Sequence, residues 1–145
     1  MNSFAVRSAL VVVALVAGAW LAVGVRATGL ESDAGGVIDR ARAGPVPRAE
    51  VDAALDDLAE AGRLSPDQAP VIRQAELLAA AGRRDEARVV AGRVTAAEPD
   101  NLQGWFLTWV VADPDKRVKA QAKRHLLELN PWFSEVLRRA ALRRG

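Results

Sequence analysis

The chain contains no cysteine and only one histidine, His125. The first absence excludes disulfides, thiolate metal sites, a thiol nucleophile and a cysteine-borne lipid anchor. A single imidazole without thiols does not make a zinc set, and no tight carboxylate pattern suggests a calcium loop. Phosphate-cradling glycine loops, serine elbows and dinucleotide fingerprints are missing as well. The paired acids Asp56-Asp57 and Asp85-Glu86 diverge around a helix and read as solvated charge. His125 lies between Arg124 and Leu126 and reads as a boundary residue of a helix. A non-catalytic protein without metal or cofactor is the expectation.

Aromatic residues make up only 5% of the 145 positions, and alternating runs of Val, Ile, Thr and Tyr are absent. Ala and Leu dominate the apolar set, a balance that favours helices over strands. Net charge is +2, with Lys and Arg interleaved among Asp and Glu except at the C-terminus. A balanced domain of this kind is not expected to bind nucleic acid.

One long apolar run stands out. "FAVRSALVVVALVAGAWLAVGV", Phe4 to Val25, carries a single charge, Arg7. At 1.5 Å per residue it extends roughly 33 Å, enough to cross a hydrocarbon core of roughly 30 Å. Arg7 can snorkel at one end and Trp20 suits the interface near the other. A signal peptide usually has a shorter apolar region and a cleavage site of small residues, whereas Val25-Arg26-Ala27 would place an arginine inside that site. A buried helix would not be apolar on every face of a soluble domain. The run therefore reads as an uncleaved single-pass anchor in residues 1–27, spanning about 4–25. Positive charge flanks it on both sides, so orientation is weakly set; the short N-terminal tail favours an extracytoplasmic C-terminal domain.

Beyond the anchor the chain repeats. "LAEAGRLSPD", "AGRVTAAEPDN" and "RHLLELNPW" close three segments whose prolines, Pro66, Pro99 and Pro131, stand 33 and 32 residues apart. Ala54, Leu58 and Ala61 precede the first, and Ala87, Ala91 and Val94 the second, each trio on one helical face. The middle unit is the clearest. "PVIRQAELLAAAG" has Pro70 at a helix start, apolar Val71, Ala75, Leu77 and Leu78, and Gly82 at its end. A second helix follows after a short turn, with Asp85 and Glu86 at its positive end. Pro99 stops it, and Asp100 and Asn101 are placed to cap the next helix.

This arrangement resembles the tetratricopeptide repeat family. The family's large, small, glycine, small, small-or-apolar and proline positions are matched by Val71, Ala75, Gly82, Ala87, Val94 and Pro99. Ala91 stands where the family has an aromatic, which implies a tightly spaced or thinly packed interface. In the third unit Trp105 takes the large position, but Trp109 replaces a small residue and Asp113-Pro114 replaces the glycine turn. Asp113 is expected to cap the following helix, with Pro114 as its first residue. The first unit is degenerate: Leu30 to Arg42, a loop "AGPVP", then Arg48 to Ala61. The membrane helix either runs straight into it or connects through Gly35-Gly36.

The expected fold is all-α: a transmembrane helix, then an α-solenoid over 28–130 in three hairpins (about 30–66, 67–99 and 100–130). A basic amphipathic cap over 131–145 would close it. A hairpin cannot bury its apolar face alone, so stacking is required whether the array is a family member or a generic helical one. The cap would combine Trp132, Phe133, Val136 and Leu137 with Arg138, Arg139, Arg143 and Arg144. Those arginines read as a solvated face, or as a contact with anionic lipid. Trp105 and Trp109 read as packing between units. By the resemblance, Ile72, Glu76, Gln103, Phe106 and Val110 would line a shallow groove for a protein or peptide. The resemblance implies a bacterial membrane-anchored scaffold; an accessory subunit of a membrane enzyme, such as a polysaccharide polymerase or ligase system, and a secreted domain are the alternatives.

Overall fold

The computed structural model describes residues 3–65 and 67–135, with side chains from Val12 onward. Pro66 and the segment 136–145, including Arg138, Arg139, Arg143 and Arg144, lie outside the described residues, as does the Arg7 side chain. Six helices are delimited: α1 (Ser3–Ala43), α2 (Arg48–Leu64), α3 (Ala69–Ala80), α4 (Arg84–Ala97), α5 (Leu102–Val111) and α6 (Lys116–Leu129). A further helical turn opens at Phe133. No strand occurs among the described residues.

The first helix changes character partway along. Every described residue from Val12 to Arg26 is exposed, and the helix is long and apolar enough to cross a membrane. From Ala27 a buried stripe begins, continuing through Ala34, Val37, Ile38 and Ala41. These residues lie on one side of the helix. The Gly35-Gly36 connection expected as one option is absent: both glycines lie inside α1. Each costs roughly 1 kcal/mol against alanine in a helix interior. Ala34, Val37 and Ile38 clamp the segment by packing with Val51, Ala54 and Leu58 of α2 and Leu77 of α3.

Ion pairs fix the hairpin directions. Arg26, midway along α1, pairs with Glu60 near the end of α2, and Arg40 near the end of α1 pairs with Glu50 near the start of α2, so the two run antiparallel. In the third hairpin, Trp105 stacks on His125 while Lys119 pairs with Asp113, which again reverses the chain. Neighbouring helices in sequence touch, and α3 also touches α1 and α5. Among the described residues α1 does not reach α5, α2 does not reach α4, and α4 does not reach α6. The core is therefore a chain of local clusters. Ile72, Ala75, Leu78, Ala87, Val90, Ala91 and Val94 join Leu107 and Val111 in the largest.

The repeat-packing positions fall into this scheme. Ala54, Leu58, Ala75, Leu78, Ala87, Val94 and Trp105 are buried, while Val71 and Trp109 are half-buried beside them. Ala91 has no exposed surface, so its neighbours close over the position that lacks an aromatic ring. Gly82 adopts φ +77°, a left-handed setting that L side chains resist. There its N–H donates to Ala79 O, and Arg83 N–H donates to Leu78 O, closing α3. Pro99 ends the fourth helix and accepts the Trp105 indole N–H at 2.6 Å.

Two details depart from the sequence-based expectation. Asp113 and Pro114 do not start α6; their peptide bond is cis, and the helix begins at Lys116. Asp115 is the cap, accepting from Arg117 and Val118 N–H, while the Asp113 carboxylate is engaged by Lys119. The small residue of the third unit is Gly104. A Cβ there would sit 2.8 Å from Val94 Cγ1, so α4 and α5 approach more closely than alanine allows.

The turn after α3 is tied by charge. Arg83 donates to Asp52 of α2 and, through Nε and Nη2 at 2.7 Å each, to Glu86 of α4. These hydrogen bonds hold the Glu86 carboxyl below its ordinary 4.5 and raise the Arg83 guanidinium further. A depressed folded-state value means that the tie contributes above the ordinary carboxyl pKa and is lost as pH falls through the folded one. Glu86→Gln is expected to lower the melting temperature at pH 7, with the difference closing on acidification below 4.5. Gly104→Ala should destabilise more. Overpacking against buried Val94 costs about 1–3 kcal/mol, offset by up to about 1 kcal/mol of helix propensity; denaturant unfolding reads the net loss.

Candidate interaction surface

Because α3 packs against both α1 and α5, the odd-numbered helices share a face, and several of the groove residues meet there. Glu76 is at its centre, with its side chain only 13% exposed. Gln103 Nε2 donates to Glu76 Oε1 at 3.1 Å. Arg73 and Arg42 place guanidinium nitrogens 3.3 and 3.6 Å from Oε2. One carboxylate thus joins α1, α3 and α5. A charge-assisted hydrogen bond of this kind is stronger than a neutral one, although the two arginines are half exposed and screened by solvent.

Phe106 and Val110 lie on α5 with Leu102, spaced four apart, at 40%, 43% and 39% exposure. That spacing aligns them along one side of the helix. They form an apolar ridge beside the polar Glu76 lattice. Ile72, expected to line the groove, sits deeper than its neighbours. It is buried in the main cluster, because its face of α3 turns towards α4 and α5. It contributes only to the floor of an open cleft of about 460 Å³. Glu31, Asp67 and Glu98 border that cleft against a single guanidinium, Arg73, which makes it acidic.

An aromatic cluster backs the ridge. Phe133 is buried and meets Phe106 at 6.1 Å and Trp109 at 6.0 Å, edge to face. Lys119 Nζ lies 5.6 Å from the Trp109 ring centre. His125 stacks on Trp105 with centroids 4.0 Å apart, and its Nδ1 lies 3.3 Å from Glu128. This environment gives the histidine a packing role in the third hairpin. No three His, Asp or Glu side chains among the described residues gather to hold a metal ion.

Sequence reasoning missed Arg42, Arg73 and Lys119 as members of this surface. Arg42 precedes Glu76 by about one repeat length, which was the available signal. Removing the central carboxylate should loosen the third hairpin from the first two. Glu76→Ala is expected to cost about 1.5 kcal/mol, the lower end for hydrogen bonds to a charged group because the arginine partners are half exposed, and Glu76→Gln less. Chemical denaturation of the two variants side by side measures the difference.

No family model matches the chain, nor does any curated protein or solved structure, so the functional reading rests on the residues and their geometry.

Proposed function

We propose that the chain is a membrane-tethered, non-catalytic interaction module: a short tetratricopeptide-like solenoid held at the bilayer by the apolar part of α1. The inner face of α1, α3 and α5 receives a protein segment of mixed chemistry. Its apolar side chains cover Phe106 and Val110, and a basic group faces the acidic cleft. The observation that carries this reading is the ridge itself. Three large apolar side chains stand exposed along a helix whose other sides are packed or polar. Tethering confines the module to a surface and raises its effective concentration for partners there.

Serial packing supports the solenoid reading. Each helix meets only near neighbours, and the small residues Ala75, Ala87 and Ala91 are buried in the core cluster of the middle hairpin.

Photo-crosslinking in native membranes tests the proposal. A crosslinker replacing Phe106 should trap a protein partner, whereas one replacing Val89, exposed on α4, should not. Equal capture at both positions, or none at Phe106, overturns the inner-face assignment. A single multi-span adduct in equal amount would instead identify an accessory subunit of a membrane enzyme. Release of the chain from membranes by carbonate would overturn the tether.

A further inference from the structure

We infer that the array has a second point of membrane contact, an apolar edge formed by Leu102, Leu129 and Trp132 that rests in the interfacial layer of the bilayer entered by α1. The inference rests on the tethered reading of α1 and adds to it a seat for the third hairpin.

The topology decides which end of the array faces the bilayer. Alternate helices reverse, so the bends at 65–68, 98–101 and 130–132 share the end where α1 emerges. Contacts bear this out. Gly62 lies against Pro70 across the first bend. Glu31 of α1 shares a cleft with Asp67 and Asn101 of the first two bends. The bends at 44–47, 81–83 and 112–115 face away.

The first hairpin brings this end of the array close to the bilayer. Glu60 is level with Arg26, the first charge after the apolar run. Leu64, four residues further along the antiparallel helix, lies about 6 Å nearer the bilayer centre. The polar layer of one leaflet is only about 5–8 Å deep. The end of α2 therefore lies at the membrane surface, and its bend offers Ser65, Asp67 and Gln68, side chains that suit headgroups.

At the third hairpin the same end is apolar. Leu102 opens α5, Leu129 closes α6, and Trp132 follows at 82% exposure, more than any other large apolar side chain described. The three turns at the opposite end carry no exposed large hydrophobic among the described residues. Trp105 shows that the fold can bury an indole and satisfy its N–H. Trp132 is left out, its backbone N–H held by Asn130 Oδ1 at 3.1 Å, its ring in the open. An amphipathic indole at that height matches the interfacial zone, where tryptophan is favoured. Asp67, Glu98 and Asp100 at this end, with Glu60 paired to Arg26, outweigh Arg63 and give no basic patch among the described residues to hold anionic lipid. The contact is apolar and suits a neutral phosphatidylcholine surface.

The absence of cysteine allows single-site labelling of the full chain in phosphatidylcholine vesicles. Environment-sensitive probes are attached at Ser134→Cys beside the edge, Val16→Cys in the apolar run and Lys116→Cys in the opposite turn. Nitroxide lipids should quench the probes at 16 and 134 but not at 116, and high salt should leave this unchanged. Trp132→Ala, with helicity intact, should abolish quenching at 134 and spare it at 16. Quenching at 16 without quenching at 134 overturns the edge contact and leaves the tether standing. No quenching at either position overturns both. Quenching at 134 that survives Trp132→Ala, or that requires anionic lipid and vanishes in salt, removes the apolar edge as its cause.

Discussion

The packing of one stripe of α1 governs the arrangement of everything after it. Ala34, Val37 and Ile38 close over α2 and α3, so the helix that carries the long apolar run is also the first wall of the array. An anchor joined through a flexible linker would let the array tumble. Here the apolar run and the first wall of the array are one continuous helix, and the glycine pair lies inside it between the buried flanks Ala34 and Val37. Helix ends are ordinarily where local opening begins; the junction at Arg26 and Ala27 lies well inside a helix.

Side-chain size sets the spacing of the layers. Ala75, Ala87 and Ala91 allow the middle hairpin to close tightly, and Gly104 lets α5 settle onto Val94. The third hairpin is built differently. Trp105, Trp109 and Phe133 fill it with rings, leaving Phe106 and Val110 outside. Narrow packing in the centre and broad packing at the end displace the apolar ridge onto the inner face. Glu76 then pins that face together from the middle.

Much of the helix layout was legible from local chemistry. Pro70 at a start, Gly82 at a stop and Pro99 after a stop bound α3 and α4 closely, because those residues act on their own backbone. The long apolar run was equally plain. Other features required knowledge of the register between helices. Nothing local distinguishes Gly104 from a glycine that merely weakens a helix. Its role depends on Val94 standing opposite. Asp113 and Asp115 are both credible caps by sequence, and the choice follows from where Lys119 reaches. The Arg42–Glu76–Gln103 lattice joins residues from three helices, so composition gave little hint of it. Ile72 was assigned to a groove by analogy, and its burial follows from how α3 is rotated against α4 and α5.

Continuity through Arg26 has a geometric corollary. With 3.6 residues per turn, each residue advances the helix by about 100°. Under the tethered reading, the compass bearing of the inner face relative to anything beside α1 in the bilayer is set by the count of residues between Trp20 and Arg26. Lengthening that stretch by one residue would swing the whole array by more than a quarter circle while leaving every internal contact intact. The number of residues there thus fixes the array's azimuth as well as its height.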